Sequence, residues 1–136
     1  MATQDLTQTG EPTFAAMTLS NAAVKVGTFA SPSSPDSLGV TGIGFNPTLI
    51  QIFLLHPNNT TRGIQGSGFY DGTSQFATYT DTTETSTSSS NIIYWIDTAT
   101  TTRVVAAATS LDSDGFTLNF TTSLSIYTFG YIAWKL

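Results

Sequence analysis

LDSDGFTLNF, residues 111–120, decides how this chain is to be read. Two aspartates flank a serine and run straight into a glycine. The segment then alternates, with Phe116, Leu118 and Phe120 on one parity and Thr117, Asn119 and Thr121 on the other. A period of two is the signature of a half-buried strand. Asp-Gly directly before it is the commonest way to close a tight hairpin, because glycine and aspartate tolerate positive φ angles. An EF-hand calcium loop would need further oxygen ligands at fixed positions and a closing glutamate. Phe, Leu and Phe stand there instead. A carboxylate pair for glycoside hydrolysis would have to draw a partner from distant sequence. Asp112 and Asp114 therefore read as a turn between two strands.

The rest of the chain agrees with strands. Only 10% of its 136 residues are charged, 40% are hydrophobic, and Thr, Ser and aromatic residues replace the Glu and Lys that long helices use. GFNPTLIQIFLLHPNN (44–59) holds the most apolar run, bracketed by Pro47 and Pro57 and so held to strand length. Leu49, Phe53 and Leu55 lie on one face, and Ile50, Ile52 and Leu54 on the other, which predicts a strand covered on both sides. The closing SIYTFGYIAWKL (125–136) repeats this, with Ile126, Ile132 and Trp134 on one parity and Tyr127, Phe129 and Tyr131 on the other. AAVKVGTF (22–29) alternates Val24 and Val26 with Lys25 and Gly27, a half-buried pattern paired with a preceding candidate strand FAAMTLSN (14–21). IIYWIDT (92–98) and RVVAAATSL (103–111) are further strands. Tyr94 and Trp95 point to opposite faces, so one of them leaves its own core.

Between these runs, ASPSSPDSLG (30–39) reads as a surface loop and DTTETSTSSSN (81–91) as a polar, mobile one. GIQGSGFYDGTSQFATY (63–79) reads as a strand broken by tight turns or bulges. The expected fold is an all-β, antiparallel, jelly-roll-like β-sandwich over residues 14–136, preceded by an extended N-terminal arm, residues 1–13.

Chemistry is sparse. The absence of cysteine removes thiol nucleophiles, disulfides and zinc–thiolate sites. His56, the single histidine, has no G-x-S-x-G nucleophile elbow to serve and reads as a strand-end side chain. GIQGSG (63–68) lacks a Walker lysine and a following helix, so its glycines bend or pack the backbone. The Asn-x-Thr sequons at Asn58, Asn59 and Asn119 are chance matches in a threonine-rich chain. Lys25, Arg62, Arg103 and Lys135 are the four basic residues, against a net charge of −5; they build no phosphate-binding patch, so direct nucleic-acid binding is not expected. No apolar run reaches the length of a membrane span, and the opening MATQDLTQTGEP is not a Sec signal, so the chain is expected to be soluble in the cytoplasm that makes it. No catalytic residue, cofactor or metal is expected. Exposed aromatics could stack on sugars or enter a subunit interface.

Several of these motifs together resemble a group of small bacteriophage virion proteins. Gly44, Phe45 and Pro47 match a G-F-x-P element, and Gly66, Gly68 and Phe69 a G-x-G-F element. Ser110, Asp112, Asp114, Gly115, Phe116, Thr117 and Leu118 match S-x-D-x-D-G-F-T-L, with Phe120 where tryptophan is common. Tyr131, Ile132 and Ala133 match a final Y-L-A. The resemblance covers residues 44–136 and implies a β-sandwich module of phage particles with no catalytic residues. It leads to the expectation of a capsid decoration or cement protein, made in the host cytoplasm and carried on the virion surface. Its partners would be the major capsid protein or other virion proteins and its own copies, as a homotrimer, with the arm clamping a neighbour. The alternative is a tail-fibre or receptor-binding module holding host glycan near Tyr70–Asp71 and the 81–91 loop.

Overall fold

Among the described residues, ten antiparallel strands form two stacked sheets. The computed structural model describes residues 22–55, 65–80, 85–97 and 101–136. The strands are β1 (Ala23–Ala30), β2 (Asp36–Thr41), β3 (Leu49–Leu55), β4 (Gln65–Tyr70), β5 (Gln75–Thr80), β6 (Thr85–Ser88), β7 (Ile93–Asp97), β8 (Thr101–Asp112), β9 (Gly115–Ser123) and β10 (Thr128–Lys135). One sheet has the order β1-β10-β3-β4-β5-β6, the other β2-β9-β8-β7. The chain is the all-β antiparallel sandwich its composition implies.

The jelly-roll character lies in four strands. β1 and β10 pair in the six-stranded sheet, β2 and β9 in the four-stranded one, so the two ends of the chain cross between sheets side by side. The middle is simpler: β3 to β6 and β7 to β9 are up-and-down meanders. Two buried serines tie the paired crossings. Ser31 donates its N–H to the Tyr127 carbonyl at 2.8 Å while its Oγ accepts the Tyr127 N–H at 2.9 Å. Ser123 donates its Oγ proton to the Pro32 carbonyl at 2.6 Å. Unmet polar groups at this depth would be costly, and each crossing satisfies the other.

The core fills from alternate residues of both sheets. Ile50, Ile52, Phe129, Tyr131 and Ala133 face Val104, Ala106, Phe116, Leu118 and Phe120. Phe29 stacks on Phe129 at 5.4 Å and 18°, and Phe116 meets Tyr131 edge-on at 5.4 Å and 79°. That aromatic group joins β1, β9 and β10 and seals the sandwich near the crossings.

Four sequence expectations change. Residues 36–39, expected as loop, belong to strand β2, whose Leu38 and Val40 turn inward. A run interrupted by Ser, Asp and Gly hides so short an alternation. Residues 85–88 are edge strand β6, paired with β5; a ladder on one side holds it without apolar side chains. Residues 63–79 contain two strands rather than one, joined by the turn at 71–74. Val24 and Val26 face outward, not inward. The Tyr131 ring lies over Gly27, occupying the space any side chain there would take, and Phe29 fills the next inward position. The candidate strand 14–21, the arm 1–13, His56, Asn58, Asn59 and residues 81–84 of the polar stretch lie outside the described residues.

Candidate functional site

β8 and β9 pair through Asp112 opposite Gly115, leaving Ser113 and Asp114 as the turn. Gly115 is not in the positive-φ region, which among the described residues holds only Gly42, Gly44 and Gly72. Glycine is needed at 115 for a different reason than the sequence suggested: a Cβ there would fall onto the Val40 carbonyl oxygen of the neighbouring strand.

Asp114 reaches across to the β2–β3 connection. Its two carboxylate oxygens accept the N–H groups of Gly42 at 3.1 Å and Gly44 at 2.5 Å, and its carbonyl accepts that of Ile43 at 3.1 Å. Three successive amides close on one residue, while Ile43 sinks its side chain into the core. Asp112 accepts the Thr117 hydroxyl proton at 2.7 Å. Both acids of the opening motif are engaged in holding loops. The G-F-x-P and D-x-D-G-F-T-L elements, far apart in sequence, are bonded to each other.

Asp71 is engaged in the same manner. Its Oδ1 accepts the N–H groups of Ser74 at 2.6 Å and Thr73 at 2.9 Å, closing the β4–β5 turn around Gly72. These backbone donors, Ser74 foremost, hold the Asp71 carboxyl below the ordinary aspartate value. Tyr70 is buried, its hydroxyl donating to the Gly72 carbonyl at 3.1 Å, so its ring offers no sugar platform. Around this turn lies an open cleft of about 720 Å³, bordered by Asn46, Asp71, Thr109, Ser110 and Lys135.

The glycine-rich β4 packs rather than binds. Gly66 lies under the Tyr79 ring, and a Cβ at Gly68 would strike the Ile92 carbonyl. Tyr79 is buried deeply enough to push its phenol well above the ordinary range. Trp95 is inward and buried, and Tyr94 is the partly covered one of that pair. Tyr127 packs edge-on against Trp95 at 4.9 Å. Asn119 is exposed on the outer side of the four-stranded sheet. Among the described residues no group of three or more His, Cys, Asp or Glu side chains is gathered for a metal.

What remains unspent is the outer face of the six-stranded sheet. Val24 is 61% exposed, Val26 67%, Phe69 40% and Phe76 39%. Register lines them up. Val26, Ile132, Gln51, Phe69 and Phe76 stand opposite one another in a row across five adjacent strands, and Val24, Trp134 and Leu49 form the row beside it. Phe69 and Phe76 touch at a ring separation of 6.2 Å. Phe53 borders a shallow groove of about 340 Å³ in the same face, with Ser67 and Thr78. Among the described residues, the outward positions of these six strands carry no ionisable side chain. The double-sided apolar character of β3 and β10 pointed to this face in the sequence; Phe69 and Phe76, isolated among glycines and threonines, did not. No family model, curated protein or solved structure matches the chain.

Proposed function

We propose that this chain is a non-enzymatic structural protein of a bacteriophage particle, a capsid decoration or cement protein that bridges neighbouring capsomers. One observation carries the reading: the uncharged apolar outer face of the six-stranded sheet, with valines more than half exposed. Apolar surface in that arrangement is stabilised by burial against protein, at about 25 cal/mol per Å² removed from water. The motif resemblance supplies the virion context, and Asp71, Asp112 and Asp114, engaged in turns, fit a rigid module that acts through surface. Its partners are the major capsid protein and further copies of itself, at the virion surface.

Quantifying the chain in purified particles by gel densitometry tests this. Hundreds of copies per virion are expected. A handful would move it to a tail fibre, and none would sink the virion role.

The cleft beside Asp71 favours the second reading, a receptor-binding module. Amide, hydroxyl, carboxylate and ammonium groups of Asn46, Thr109, Ser110, Asp71 and Lys135 border it, a mixed donor and acceptor set suited to sugar hydroxyls. Specific retention of the purified chain on a host-glycan array, lost in Lys135→Ala, would favour that reading over decoration.

A further inference from the structure

We infer that the outer face of the six-stranded sheet pairs with the same face of a second copy of this chain. This deepens the decoration reading by naming one of its partners, but it rests on the face itself and needs no viral shell.

Charge and chemistry narrow the occupant. The chain carries a net charge of −5, so copies repel one another wherever their carboxylates meet. Asp36, Asp71, Asp112 and Asp114 all sit at strand ends and turns, away from the middle of either sheet. The outward positions of the six strands hold only Val, Ile, Leu, Phe, Trp, Ala, Thr, Ser, Gln and Gly. Two copies can meet there without desolvating a charge. The outward face of the four-stranded sheet is more polar: Ser37, Thr117, Asn119 and Thr121 are small and polar, and Asp112 adds a carboxylate beside Thr117. They gain little from leaving water. Apolar contact therefore selects the six-stranded face.

Size is adequate. Six strands span about 24 Å across, and six residues about 20 Å along, from the usual sheet spacings. The footprint is on the order of 500 Å² before side-chain relief is counted, and a stable interface uses about 800 Å² of accessible surface per partner. Ridges of Val, Trp and Phe bring the accessible surface to that order. Stacked sheets pack about 10 Å apart with such side chains interleaved. The contact would repeat on the outside the packing that the chain already uses inside.

A patch that meets its own copy is isologous and closes at two. The product is a two-fold dimer, and the trimer expected from the sequence would require a different, head-to-tail contact.

Sedimentation equilibrium of the full chain from about 1 to 200 µM, a range that resolves micromolar self-association, tests the pairing. The wild type is expected to be a dimer in that range. Val26→Lys and Phe69→Lys each place two like charges in the contact and should weaken it about 100-fold or more. Phe69→Ser, which removes the ring without adding charge, should weaken it less. Asn119→Lys, on the other sheet, should leave it unchanged. Thermal melts check that each variant folds. A monomeric or trimeric wild type overturns the inference, as do lysine variants that dimerise normally. Either result leaves the copy number per particle to decide the virion role separately.

Discussion

The side-chain amide of Gln75 takes the place of a missing strand beside Ala108. Its Oε1 accepts the Ala108 N–H at 2.8 Å, and its Nε2 donates to the Ala108 carbonyl at 3.5 Å. β7 begins opposite Ala106, so among the described residues the edge-facing amide and carbonyl at 108 have no strand neighbour. Gln75 begins β5 in the other sheet, and its side chain bridges the two layers just where β8 shifts register. Gln75→Ala leaves both backbone groups without these bonds in a half-covered position. It should cost about 1–3 kcal/mol, read as a lower urea midpoint with an unchanged m-value.

Asp114 makes a comparable prediction at the opposite side of the β8–β9 hairpin turn. Asp114→Ala removes the acceptor for Gly42 and Gly44 and should lose about 1–2 kcal/mol, within the range for bonds to a charged group. Faster hydrogen exchange at the Gly42 and Gly44 amides would accompany it. Adding millimolar calcium should leave the wild-type melting temperature where it was, since both aspartates are committed to loops. A calcium-dependent rise of several degrees would overturn the structural role given to them.

Two glycines separate packing from mere permissiveness. Gly68→Ala drives a methyl into the Ile92 carbonyl, backbone that cannot swing aside. A loss of at least about 3 kcal/mol is expected, in the range of severe overpacking. Gly39 has nothing within 4 Å of where its Cβ would stand, and its φ is not positive. Gly39→Ala should therefore change stability by less than about 0.5 kcal/mol, or raise it slightly through the unfolded chain. Denaturant titration of the pair decides.

The Asp71 turn should respond to acid in a defined direction. Its carboxyl is held below 3.8 by the Ser74 and Thr73 amides, so its stabilising bonds are fully present above that value. They are lost as pH falls through the lowered one. The Ser74 and Thr73 amide shifts should titrate together with a midpoint below 3.8. A midpoint at or above it would remove the turn's claim on the carboxylate.

Sequence pattern made the strands legible where alternation was long and uninterrupted, as at Phe116, Leu118 and Phe120, all buried as expected. It misled over Val24 and Val26, because a period of two states that a strand has two faces and not which one is inner. That was decided by Tyr131, distant in sequence, covering Gly27. It missed β2 and β6 because a strand held mainly by neighbouring backbone needs few apolar residues. The site was legible only in part. Both-sided apolarity marked β3 and β10, but the rows across five strands exist only in register. Asp114 read correctly as a turn residue, while its bonds to Gly42 and Gly44 span about 70 positions and left no local trace.

The position of β10 has a consequence for biosynthesis. It lies between β1 and β3, hydrogen-bonded to both, although it follows the nine other described strands in chain order. Until Lys135 has left the ribosome, β1 lacks its partner among the described strands and β3 lacks one side. Such long-range closure is slow, so the nascent polypeptide emerges through β9 without the strand that joins β1 to β3. A stop codon before Thr128 should therefore yield an aggregating fragment rather than a shortened sandwich.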